Sequence, residues 1–267
     1  MTVPDKNIFF FFDFVYTPPP PVSRSINLFE YTNRNFPLKK LILVYCPGAS
    51  PTTVPLGVCS LTAYIRINCN DVEVRQADLS IGMRLSCFDN TEEANLALPF
   101  FTGQLGNFFD SSVYSAYQSE LFSFFERWRA EERALSEALS KDFVSVEVEQ
   151  YASRLDSLIT LTGEEIVALS AAFPEQVLHA VFIAKILKRK HPELTILLGG
   201  SALSVVDVDD LLAAVPELDF IFRGEGEIGL SEFLKGIHPS LINGFSFRIN
   251  NITKSNPAPT SVRPEML

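Results

Sequence analysis

Four runs, LILVY at 41–45, EIVAL at 165–169, LTILL at 194–198 and DFIF at 219–222, are almost wholly apolar, and each ends at a corner of small, glycine or turn residues. A strand with polar alternation can face water on one side. A continuous run of this length must be covered on both faces, as in a parallel sheet sandwiched by helices. The intervening segments supply those helices. In TVPLGVCSLTAYIRIN, Leu61, Tyr64 and Ile65 share one helical face, with Pro55 and Gly57 marking the entry. PEQVLHAVFIAKILKRKHP has Pro174 at its start and Pro192 beyond its end, and DVDDLLAAVPEL reads as a further helix. DVEVRQADLS, alternating around Val72 and Val74, is expected to be a second strand. The alternation predicts an α/β fold: a doubly wound, Rossmann-like (flavodoxin-like) parallel sheet with a helical insertion and a C-terminal hairpin.

The expected organisation is an N-terminal extension at 1–37, the sheet domain at 38–240 and a hairpin with linker at 241–267. The hairpin is GFSFRINNITKSN, with Asn250-Asn251 at its tip. The insertion spans about 88–155 and contains a long amphipathic helix at 115–139. Tyr117, Leu121, Phe124, Phe125 and Trp128 cluster on its apolar face, and a second helix is expected over 144–160. Aromatic residues at helical spacing are read as core packing. The extension carries an aromatic run followed by Pro18 to Pro21, suited to an edge strand, a polyproline segment or a partner-binding element.

Composition excludes several function classes. A net charge of −10 without a basic stripe argues against a nucleic-acid surface. The densest basic run, Lys188-Arg189-Lys190, sits where a helix C-terminus favours cations. Cys46, Cys59, Cys69 and Cys87 are 13, 10 and 18 positions apart, so neither a zinc ribbon nor a C-x-x-C redox pair can be read. Nor is there a C-x-x-x-C-x-x-C triplet to hold an iron–sulfur cluster. The N-terminal apolar run is interrupted by Asp13 and lacks a cleavage site. No stretch approaches the roughly 20 apolar residues of a membrane span. The expectation is a cytoplasmic protein with reduced thiols.

In a parallel sheet of this kind, ligands bind beyond the carboxyl ends of the strands, where the strand order reverses. This selects Cys46-Pro47-Gly48, the residues after Asp78, Ser170-Ala171-Ala172, Gly199-Gly200-Ser201 and Arg223 to Glu227. Gly224, Gly226 and Gly229 spell G-x-G-x-x-G. A dinucleotide fingerprint belongs early in its βαβ unit, however, with an acidic ribose partner about 20 residues on. Here the motif ends the last unit, and Glu225 and Glu227 would repel a pyrophosphate. The match is read as accidental, which disfavours a nicotinamide or flavin oxidoreductase.

Taken in order, VYCP at 44–47, VPLGVCSLTAYIR at 54–66, ALSAAF at 168–173, LLGGS at 197–201 and FRGEGE at 222–227 resemble the cobalamin-binding domain that precedes the barrel of cobalamin-dependent radical S-adenosylmethionine enzymes. That family carries an S-x-L element followed about 26 to 28 residues later by G-G. Here Ser170-Ala171-Ala172 is followed by 26 residues (173 to 198) and then Gly199-Gly200, with Ala172 in place of the leucine. The resemblance covers about residues 38–255. SELFSFF, in the insertion, is similar to the subfamily that methylates ribosomally made peptides.

The resemblance implies cobalamin as ligand, held by Cys46, Pro47, Pro55, Leu56, Gly57, Ser170, Phe173, Gly199, Gly200, Ser201, Arg223, Gly224, Glu225, Gly226 and Glu227. It places the nucleotide tail of the cofactor past Ser170 and Gly199-Gly200. A side chain at Gly200 is then expected to block the ligand in a folded domain, and one at Gly226 to matter less. The D-x-H-x-x-G motif that supplies a histidine to cobalt is absent, and His179, His191 and His238 stand in no such motif. No protein metal ligand and no catalytic residue is therefore expected. An iron–sulfur cluster and S-adenosylmethionine would belong to a full-length relative, since the chain ends at Leu267 where relatives continue into the barrel. Implied partners are a separate radical-barrel protein or a peptide substrate. The alternative is a degenerate interaction or regulatory protein that keeps the fold without ligand.

Overall fold

A computed structural model describes residues 39–49, 53–86, 110–163 and 165–259; several side chains between 113 and 124 are not described. The 1–37 extension, Cys87, the start of the insertion and the side chains of Tyr117, Leu121 and Phe124 lie outside the described residues.

Seven strands form one sheet: β1 Lys39–Tyr45, β2 Val72–Asp78, β3 Ile166–Ser170, β4 Thr195–Gly199, β5 Phe220–Phe222, β6 Phe245–Ile249 and β7 Ile252–Ser255. Their spatial order is β2-β1-β3-β4-β5-β6-β7. The first five are parallel, and β6 and β7 are antiparallel additions. This is the flavodoxin-like order, and it reverses between β1 and β3. The hairpin turns at Asn250 and Asn251, both with positive φ (51° and 62°), as a two-residue turn matched to the strand twist requires.

Two helices cover one face of the sheet: α1 Leu56–Asn68 after β1, and, after β5, the last helix, Gly226–Leu234. Val58 and Ile65 of α1 pack with Leu41, Leu43 and Tyr45, while Leu230, Phe233 and Leu234 pack with Phe220, Phe222, Phe245 and Phe247. The other face carries α2 Leu79–Leu85, α3 Ser111–Leu139, α4 Val146–Leu158, α5 Pro174–Lys190 and α6 Val208–Ala214. The Gly226–Leu234 helix is α7.

The strand expected over 71–80 ends earlier, because Asp78 turns the chain. Its carboxylate accepts from the amides of Ser80 (2.9 Å) and Ile81 (3.2 Å) and starts α2. Ser145 caps α4 in the same way, accepting from the Val148 amide at 3.2 Å.

The described part of the insertion is built into the main core. Trp128 stacks on His179 of α5 with ring centroids 5.2 Å apart. His179 Nε2 lies 2.9 Å from Glu132 Oε1, and Nδ1 lies 3.0 Å from the Tyr151 hydroxyl. An ionised carboxylate only accepts, so in the neutral ring Nε2–H donates to Glu132 and Nδ1 accepts from Tyr151. Burial pushes the Tyr151 phenol well above its ordinary value, which keeps it a donor. The basic run at the end of α5 has side-chain partners rather than a dipole alone. Lys188 pairs with Asp219 at 2.9 Å, Arg189 with Glu149 at 2.9 Å, and Lys190 with Asp156. The last two pairs join α5 to α4.

Candidate functional site

The parallel register brings Tyr45, Ser170 and Gly199 side by side at the carboxyl ends of β1, β3 and β4. All three lie on the α1/α7 face, as does Ala168 two residues earlier. In the middle of a covered sheet these positions should be the most deeply buried. Ala168, Ser170 and Gly199 are instead only half-buried, whereas Val167, Leu169 and Leu198 on the opposite face are closed off. The sheet is therefore partly open above its central strands, along a line of small residues.

α1 and α7 flank this opening with their N-termini at the same end of the sheet. The first turn of α7 meets the second turn of α1. Ser60 Oγ donates to Glu227 Oε1 at 2.9 Å, and Gly226 lies so close to Leu61 that a Cβ would come within 3.1 Å of its side chain. Around the mouth, apolar side chains face solvent: Val54 (64 % exposed) and Leu56 (73 %) after β1, Phe173 (42 %) after β3, and Val205 (77 %) after β4. Four exposed apolar side chains grouped at one end of a sheet suit a broad apolar ligand.

The residues expected at the site fall into three groups. Pro55, Leu56, Gly57, Ser170, Phe173, Gly199 and Ser201 lie at the mouth or along the opening; Gly57 has nothing within 4 Å of where a Cβ would stand. Ser201 Oγ donates to the Ala172 carbonyl at 3.0 Å, tying the β4 corner to the β3 corner. Cys46 and Pro47 are buried. The Cys46 side chain belongs to the core on the α5 face, and burial pushes its thiol far above the ordinary range. Arg223 and Gly224 engage the returning chain: Arg223 donates to the Asn256 carbonyl at 3.0 Å, and a Cβ on Gly224 would come within 2.6 Å of Pro259. Glu225 precedes α7 and is exposed, while Glu227 is held by Ser60.

Gly200 differs from the reading above. Its φ is +115°, and a Cβ would stand 2.2 Å from the Ala171 carbonyl oxygen. The protein's own backbone thus requires this glycine, and a bulky residue there would distort the β3 and β4 corners before meeting any ligand. Gly199 is the opposite case. A Cβ there would touch only the Phe222 carbonyl oxygen, at 3.7 Å, an ordinary contact. The protein does not need a glycine at 199.

The three histidines are placed as follows. His179 is buried in the Glu132–Tyr151 chain, His191 ends α5, and His238 Nδ1 accepts from the Ser240 amide. Among the described residues no group of three or more His, Cys, Asp or Glu is placed to hold a metal ion. No helix among them is long and apolar enough to cross a membrane.

Sequence reasoning did not single out Val205 or Gln176, and it named Val54 only as the start of the motif at 54–66. Gln176 lies two positions after Pro174, where a glutamine can cap its own helix, but no Ser or Thr precedes the proline to complete that signal.

No protein-family model matches the chain, and no curated protein sequence matches it. Among solved structures it is similar to the radical S-adenosylmethionine methyltransferase TsrM from Kitasatospora setae, solved with cobalamin and a [4Fe-4S] cluster bound. The sequences are 14 % identical and the TM-score is 0.42, over 85 % of this chain and 30 % of that one. The chain spans under a third of the length of that enzyme. By its own topology the protein is an α/β, Rossmann-like domain with a mostly parallel sheet.

Proposed function

We propose that this domain binds cobalamin, with the corrin over the carboxyl ends of the strands and the nucleotide tail running in between α1 and α7. One observation carries the reading: the central strands are open along Ala168, Ser170 and Gly199, beneath a mouth lined by exposed Val54, Leu56, Phe173 and Val205. A corrin is a broad, mostly apolar plate, which suits that mouth. Its tail is narrow and polar and needs a path without side chains, which the small residues supply. The order of motifs along the chain favours the same ligand. Cobalamin, once bound, supplies a cobalt centre able to carry a methyl group.

In this reading the residues of the chain bind and orient, and none performs chemistry. Ser170 and Ser201 offer hydroxyls toward the tail, and the N-terminus of α1, which has no acidic residue in its first turn, favours its phosphate. In this reading no histidine binds cobalt, and the base of the tail does not coordinate it either. We further propose that the domain presents cobalamin to a radical S-adenosylmethionine barrel for methyl transfer, in the same polypeptide or a separate one, with a peptide as the acceptor class.

Titration of the purified chain with hydroxocobalamin, followed by absorbance and equilibrium dialysis, tests the reading. Saturable binding at one cobalamin per chain is expected, with weaker binding of cobinamide, which lacks the tail. Equal affinity for both would remove the tail path. No saturable binding would leave the alternative, an interaction protein that keeps the fold without ligand.

A further inference from the structure

Gln176 is wholly buried, 0 % exposed, near the start of α5. A glutamine there ordinarily reaches back to cap its own helix, and half of this side chain does so. Oε1 accepts from the amides of Ala172 (2.8 Å) and Phe173 (3.1 Å). The other half does what a cap does not require. Nε2 donates to the Cys46 carbonyl at the end of β1. Gly48, at a φ of +109°, lets the β1 corner come close; a Cβ there would stand 3.1 Å from the Gln176 nitrogen. One primary amide, accepting through Oε1 and donating through Nε2, thus ties the β1 corner to the β3 corner. Those corners are the two sides of the gap where strand order reverses.

We propose that Gln176 is the positioning residue of the crevice: its amide fixes the separation of the β1 and β3 corners and so the fit of the ligand laid across them. The binding part of this inference rests on the cobalamin reading; the structural part does not. Gln176→Glu separates the two functions of the side chain with almost no change in shape. The ionised variant keeps the acceptor for Ala172 and Phe173 but turns a lone pair toward the Cys46 carbonyl. When protonated, it regains an O–H donor for that carbonyl. Burial raises a carboxyl above its ordinary value, so recovery falls at mildly acid pH.

Two measurements on the full chain test this at about pH 8 and about pH 5. The first, without ligand, is hydrogen exchange of the Cys46 amide, which donates to the Ser170 carbonyl at 3.1 Å across the corner. In Gln176→Glu it should exchange about tenfold faster at the higher pH, after correction for intrinsic rates, and return toward wild type at the lower. Amides in the middle of α5 should be unaffected at both. The second is hydroxocobalamin affinity, expected to weaken about tenfold at the higher pH and to recover at the lower. Should Gln176→Glu not fold, Gln176→Met, with similar volume and neither donor nor acceptor, carries the comparison at one pH. Unchanged Cys46 exchange, or faster exchange throughout the domain, overturns the positioning role. If wild type does not bind hydroxocobalamin, the functional reading falls and the exchange arm still decides the clamp. Binding by wild type and variant with equal affinity, despite a loosened corner, overturns the link to the ligand.

Discussion

Gly199 and Gly200 are adjacent glycines with opposite reasons to be there, and exchanging each for alanine separates ligand path from backbone demand. At Gly200, φ and ψ of 115° and 165° lie in a region almost closed to residues with a side chain. That conformation costs of order 1–3 kcal/mol. A methyl 2.2 Å from the Ala171 carbonyl oxygen adds an overlap that only backbone movement relieves, for a further 1–3 kcal/mol or so. Gly200→Ala should therefore lose roughly 3 kcal/mol, a fall in Tm of about 6–12 °C for a domain of this size. At Gly199 the methyl meets nothing closer than 3.7 Å. Replacing a strand glycine that needs no special backbone stabilises by about 0.4–1 kcal/mol, so Tm should hold or rise by about 1–4 °C. The same methyl would stand in the proposed tail path and should weaken hydroxocobalamin by about 10- to 100-fold. Calorimetry with and without ligand reads both effects, since ligand raises Tm in proportion to ln(1 + [L]/Kd). A stable Gly199→Ala variant with wild-type affinity would refute the tail path. A Gly200→Ala variant melting like wild type would refute the corner geometry.

Two further outcomes follow from buried polar groups. Tyr151→Phe removes the donor to His179 Nδ1 inside the core and should cost about 1–3 kcal/mol in urea denaturation; in a His179→Leu background the same change should cost much less, and equal costs would disprove the coupling. Glu165 is pushed up by burial, but bonds from the Thr162 amide and hydroxyl and the Gly163 amide outweigh this and hold its carboxyl below the ordinary 4.5. Its folded value is depressed, so its contribution is full above that ordinary value and is lost as pH falls through the lower folded one. Glu165→Gln should thus be less stable than wild type at neutral pH by about 1–3 kcal/mol, with the gap closing in acid; a gap constant with pH would contradict the assignment.

Most of the fold is legible in the sequence because burial on both faces leaves a composition no surface element shares. LILVY and IVALS each became a parallel strand, and Asn250-Asn251 became the turn of the hairpin. Element ends were less legible. Leu79 and Ser80 continue an apolar strand pattern, and only the Asp78 carboxylate, reaching two amides ahead, turns them into a helix. The corners of the candidate site were legible, but their contacts were not. Gly199-Gly200 reads as one motif, and nothing in the letters says that only the second has a carbonyl against it. Cys46 sits in a corner motif, yet strand alternation sends its side chain to the α5 face. Gln176 acts across 130 residues on the Cys46 carbonyl, a contact that exists only after the strands pair.

The central claim concerns where the ligand lies, and a crystal structure of the chain loaded with hydroxocobalamin tests it most directly. The account predicts the corrin against Val54, Leu56, Phe173 and Val205, the tail between α1 and α7 over Ser170 and Gly199, and no histidine bound to cobalt. A corrin seated anywhere other than the carboxyl ends of β1, β3 and β4, or cobalt bound by His179, His191 or His238, would contradict it.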